Sequence, residues 1–152
     1  MLLTSDLQRA AVTAAAIERR TGLVATPDAR LRELHLGRWQ GLTSVQAERA
    51  FPDEHAAWRR GEDVARGGGE TYRQAGERAV ACVNDRLPAV PYGGTLLAVT
   101  HGGTARAALG LLLDLPADTW WRLVPLDNAC WSVLVEAERG WRLEQHGARA
   151  PG

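Results

Sequence analysis

The spacing of apolar residues changes period several times along this chain, and each change marks an element. Met1-Leu2-Leu3-Thr4 has the run of a short strand. Leu7, Ala10, Ala11, Ala14 and Ile17 then recur at helical spacing between Ser5, a good cap, and Gly22, a good stop, which predicts a helix with Arg9 in its first turn. Residues 23–26 read as a strand closed by Pro27. Thr43 and Gln46 form a capping box for a short helix ending near Phe51-Pro52, and a second short helix stops at Gly61. Thr71 and Gln74 cap a longer helix whose apolar face is Tyr72, Ala75, Ala79, Val83 and Leu87. Residues 95–100 are an apolar, β-branched run suited to a buried strand; His101 and two glycines follow, and Thr104 opens an apolar helix to Leu113. Residues 129–136 and 141–145 pair around Arg139-Gly140 as a β-hairpin at the sheet's edge.

Strands interleaved with helices in this order predict an α/β domain with a mostly parallel sheet, made mixed by the closing hairpin. One domain over residues 1–152 fits the length. In such sheets ligands bind in the crevice outside the carboxyl ends of the strands, which is where His101 falls. The helix after it would aim unpaired amides at that crevice, an arrangement suited to an anion such as phosphate.

Composition narrows the partners. The 18 acidic and 18 basic residues cancel, so nucleic acid and anionic membranes are not indicated and any phosphate binding must be local. Every basic residue is arginine, which lowers the weight of any single one. Cys82 and Cys130 are too few and too far apart for a disulfide framework or zinc knuckle and read as buried thiols of a cytoplasmic protein. The first 20 residues lack the basic and apolar regions of a signal peptide, and no apolar run approaches a membrane span.

Three side chains carry candidate chemistry. Arg9 lies just inside a helix that follows a strand, from where a guanidinium can grip a phosphate; the plain alternative is an exposed helix arginine. Glu33 lies in a loop between Leu31 and Leu34, where partial burial would let its carboxyl hold a proton; the alternative is a solvated carboxylate. His101 sits on the glycine turn at the crevice, or else is a structural histidine bonded to a carbonyl. Glu70, after Gly67-Gly68-Gly69, either reaches substrate from a mobile loop or favours the dipole of the next helix. His35, His55 and His146 have no paired spacing, so neither a metal nor another cofactor is expected.

These residues stand in a recognisable series. Thr4-Ser5-Asp6-Leu7-Gln8-Arg9-Ala10 with Thr13-Ala14, Leu31-Arg32-Glu33 with Gly37 and Trp39-Gln40-Gly41, Gly68-Gly69-Glu70, Val99-Thr100-His101-Gly102-Gly103 and Leu126-Asp127-Asn128-Ala129 together resemble the histidine phosphatase superfamily. The likeness is to its phosphoglycerate mutase-like proteins, in particular the bacterial broad-specificity and α-ribazole-phosphatase-like branch. It implies a three-layer α/β/α sandwich and hydrolysis of a small phosphorylated metabolite through a phosphohistidine. By that likeness Arg9, His101 and Gly102 hold the phosphoryl group, Glu33 and His101 are catalytic, and Glu70 belongs to a substrate loop.

One departure stands out. The superfamily's nucleophile lies in an Arg-His-Gly motif on a first, central strand, and no such motif occurs in these 152 residues. The resemblance therefore implies a domain truncated at its N-terminus, with that strand expected between the one ending at His101 and the one near Ala129. A late-assigned start or a fragment is favoured over a shortened relative that has closed the gap or swaps a strand with a second copy in a homodimer. Activity of the chain alone is expected to be slight, and a non-catalytic module that binds a phosphorylated ligand is the other function in view.

Overall fold

A computed structural model describes residues 1–150. Its elements run β1 (Leu2–Thr4), α1 (Gln8–Thr21), β2 (Ala25–Pro27), α2 (Ser44–Ala50), α3 (Pro52–Arg59), α4 (Tyr72–Arg86), β3 (Leu97–Val99), α5 (Gly102–Leu112), β4 (Trp131–Ala137) and β5 (Gly140–Ala148), with short 3-10 turns between. β1 is the middle of a three-stranded parallel sheet in the order β2-β1-β3, with Leu2 opposite both Ala25 and Leu97. The chain passes from β1 to β2 in one direction and back past β1 to β3 in the other. Right-handed connections both ways place α1 and α4 on opposite faces. Leu2 and Leu3 are accordingly both buried although they point to opposite faces, and Leu3 packs with Leu31 and with Ala79 and Cys82 of α4.

Most elements follow from local chemistry. Both capping boxes form in full, at Thr43 with Gln46 and at Thr71 with Gln74. α1 buries Ala10 and Ala14 and ends at Gly22, whose φ of 72° is left-handed. Pro27 sits within β2, tolerated because β2 is an edge strand.

Several expectations are corrected. Ser5 is not the cap of α1, whose boundary residue is Leu7 with no side-chain cap; the Ser5 oxygen accepts from Leu7 N at 3.3 Å and also lies against His101. α5 begins at Gly102, not Thr104, because a carboxylate from a distant loop supplies its cap. The long strand expected over 95–100 pairs only over Leu97–Val99, since its partner β1 is three residues long. The hairpin pairs with itself and forms a second sheet instead of extending the parallel one.

The triple glycine is also not a loose loop. A side-chain carbon on Gly37 or Gly69 would collide with the backbone of Gly67 or His35 respectively, and one on Gly67 would lie 2.5 Å from the Arg38 nitrogen. Two backbone segments are thus pressed together, closed by Glu70 N donating to His35 O at 2.7 Å. Cys82 is buried as expected, whereas Cys130 is only partly so. No helix among the described residues is long and apolar enough to cross a membrane.

Candidate active site

β1 and β3 are neighbours, and the helices that follow them lie on opposite faces, so a crevice opens at their carboxyl ends. Ser5 follows β1 directly, Arg9 is in the first turn of α1, and His101 is the boundary residue of α5. The Arg9 Nε donates to His101 Nδ1 at 3.1 Å, and His101 Nε2 lies 2.9 Å from Ser5 Oγ. A guanidinium can only donate, so Nδ1 must accept, and the imidazole is neutral with its proton on Nε2 toward Ser5. Burial, and then the nearby Arg9 charge, hold the His101 pKa below its ordinary 6.5. Arg9 keeps no other side-chain partner among the described residues, so its terminal nitrogens have none there.

Glu33 reaches the same crevice from the loop after β2. One oxygen accepts from Gly103 N at 3.1 Å and the other from Thr104 N at 3.0 Å, with Leu34 N and Thr104 Oγ1 as further donors. The first amides of α5, expected to face a phosphate, are thus occupied by an internal carboxylate. Glycine at 103 leaves room for this approach: a side-chain carbon there would stand 2.7 Å from the Glu33 carboxylate and push it off its amides. Gly102, the first residue of α5, lies between His101 and this anchor.

The loop bearing Glu33 is itself fixed. Arg78 of α4 donates to the carbonyls of Arg30, Arg32 and Glu33 and grips both oxygens of Glu70 at 2.8 and 2.9 Å. Glu70 in turn accepts from His35 N. The Arg78 contact holds the Glu70 carboxyl below the usual carboxylate range. Arg9, Glu33, Gly102 and His101 therefore gather at one rim, while Glu70 stands one layer back, joined to Glu33 through Arg78.

Sequence reasoning missed Ser5, Thr104 and Arg78. The first two sit beside strand ends and could have been found from that position. Glu70, Gln74 and Arg78 share a four-residue spacing, a signal hidden among 18 arginines. Among the described residues no group of three or more His, Cys, Asp or Glu side chains could hold a metal ion.

Residues 1–149 match the profile of the Histidine phosphatase superfamily (branch 1). Glucosyl-3-phosphoglycerate phosphatase of Mycobacterium tuberculosis (strain ATCC 25618 / H37Rv) is 38% identical over 166 residues, covering 99% of this chain and 74% of that protein. The solved mycobacterial glucosyl-3-phosphoglycerate phosphatase bound to inorganic phosphate superposes with a TM-score of 0.88 at 37% identity, covering 98% of this chain and 77% of that one. The α-ribazole phosphatase of Shigella flexneri shares the fold, with a TM-score of 0.80 at 24% identity over 100% of this chain and 75% of the other. With a profile that spans nearly every residue and relatives that cover the crevice from β1 to α5, the chain belongs to the histidine phosphatase superfamily.

Proposed function

We propose that this chain carries the phosphoryl-binding and proton-transfer parts of a phosphomonoesterase that works through a phosphohistidine. In that reaction a histidine nitrogen bonds to phosphorus as the bond to the leaving alkoxide breaks, and the Glu33 carboxyl gives the leaving oxygen its proton. Water then attacks the phosphohistidine and loses a proton to Glu33, releasing phosphate and restoring the histidine. Arg9 supplies the positive charge that the equatorial oxygens demand, the main requirement of phosphoryl transfer, and His101 adds its Nε2 hydrogen as a donor when a phosphoryl oxygen takes the place of Ser5 Oγ. The observation that carries this reading is the Arg9–His101 contact beside the anchored Glu33 carboxyl. Among small phosphorylated metabolites, phosphorylated glycerates and their glucosides are the first to assay, after the names of the relatives.

No Arg-His-Gly motif lies in these residues, so the nucleophile is assigned to sequence outside them. The 152-residue chain should then hydrolyse p-nitrophenyl phosphate slower than an intact family enzyme by on the order of a million-fold. It should still gain thermal stability from inorganic phosphate, an effect absent in Arg9→Ala. Fast turnover abolished by His101→Ala would instead make His101 the nucleophile and overturn the assignment. The same absent motif favours a second reading, a non-catalytic module for a phosphorylated ligand. That reading predicts phosphate-dependent stabilisation with no hydrolysis even when flanking sequence is restored.

A further inference from the structure

The hairpin carries a histidine whose hydrogen bonds are separate from those of the crevice. His146 of β5 stands opposite Ser132 of β4 in the ladder, and its Nδ1 lies 2.8 Å from Ser132 Oγ. Its Nε2 lies 2.9 Å from Val124 O. A carbonyl can only accept, so Nε2 carries the proton. In the neutral imidazole Nδ1 is then an acceptor, and the Ser132 hydroxyl donates to it. The order hydroxyl, imidazole, fixed acceptor is the one that activates a serine: the base faces the nucleophile, and a third group sets the base's tautomer and direction.

The ladder is irregular at this point. Trp131 pairs with Ala148 and Ser132 with His146, so Gly147 is an extra residue on β5, with a left-handed φ of 71°. A bulge of this kind bends its strand and leaves the extra residue outside the ladder. The Gly147 amide, one residue from the imidazole, is thereby a backbone donor for an oxyanion that forms beside Ser132.

Both side chains are partly buried, so the hydroxyl is within reach of a solute. The surroundings select its character. Val124, whose carbonyl holds His146, is 59% exposed, and Trp131, next to Ser132, is 39% exposed. The charges of the same segments are matched among themselves, Asp127 with Arg149 at 3.3 Å and Glu144 with Arg142 at 2.8 Å. Apolar surface beside a polarised hydroxyl suits an uncharged substrate with an electrophilic carbonyl.

We infer that Ser132 and His146 form a second, hydrolytic site, for carboxylic esters of apolar acyl or aryl groups, with Val124 O holding the imidazole in place. Ser132 Oγ bonds to the ester carbon and passes its proton to His146 Nδ1, which gives it to the departing alcohol oxygen. Water then attacks the acyl-serine and loses a proton to His146 Nδ1, and that proton returns to Ser132 Oγ as the acid leaves. The chain is treated with an alkyl fluorophosphonate, which transfers its phosphonyl group to an activated serine with loss of fluoride, and the labelled peptide is found by mass spectrometry. In parallel its hydrolysis of p-nitrophenyl acetate is followed. The label should fall on Ser132 of the parent chain, a result that needs no variant to fold. Ser132→Ala should bring ester hydrolysis down to the buffer rate, and His146→Gln should slow it by about a hundredfold. Saturating inorganic phosphate should leave both readouts unaltered. The inference is overturned if no label reaches Ser132, if either variant, folded as judged by circular dichroism, hydrolyses the ester as fast as the parent, or if phosphate suppresses the reaction and so places it in the crevice.

Discussion

A neutral imidazole flanked by a guanidinium and a hydroxyl makes His101 sensitive to pH in a defined sense. Its folded pKa lies below the unfolded value of 6.5, so the unfolded chain takes up the proton first as pH falls. The stability that this residue contributes is therefore complete above about pH 6.5 and declines as pH drops from there through the folded value. An NMR titration should find the His101 midpoint below 6.5, and Arg9→Met should move it upward; a midpoint at or above 6.5 in the parent would contradict the geometry. Cys82 gives a second check. Burial first, and then the Asp28 carboxylate beside it, push its thiol up to about 11, so a thiol reagent at pH 8 should label Cys130 alone until the chain is denatured. At this scale the meeting of Arg9 with His101 could be expected because each lies at the start of a helix that follows a strand, whereas Glu33 sits in the loop after β2 and stood out only by its place between Leu31 and Leu34. Ser5 was misread because a serine before a helix has two competing uses, and only the nearby imidazole decides between them.

Among elements, the decisive link is between α4 and the loop that presents Glu33. Replacing Arg78 by Met would leave the carbonyls of Arg30 and Glu33 without this donor and the Glu70 carboxylate with only the His35 amide, while Arg32 O keeps Thr104 Oγ1, at a cost of about 3 kcal/mol in denaturant unfolding. Thr71→Ala removes one cap of the same helix and should cost only about 1 kcal/mol. Equal losses in the two variants would show that Arg78 is an ordinary helix residue. Both capping boxes and the glycine stop of α1 could be read directly, since each is a local contact within one turn. The packed glycines could not: Gly37 and Gly69 are 32 positions apart, and their meeting depends on how two loops approach.

For the whole molecule, the layered α/β arrangement followed from the alternation of strands and helices, and the pairing of β4 with β5 from the turn at Arg139-Gly140, but the separation of that hairpin from the parallel sheet did not. Alternating residues in β4 and β5 say which way side chains face and nothing of the neighbour. The hairpin is joined to the rest by such contacts as His146 Nε2 with Val124 O and Arg149 with Asp127. A two-stranded sheet is marginal by itself, so amides of β4 and β5 should exchange with solvent sooner than those of β1. Equal protection would mean that the two sheets open as one unit.

β3 bonds to β1 along one side only, and Leu97 in it is 37% exposed. A row of backbone donors and acceptors facing water beside an apolar side chain is a template on which another extended chain can grow. Crowding molecules together should therefore produce larger species in sedimentation, and Leu97→Lys, by adding charge to that border, should keep them apart.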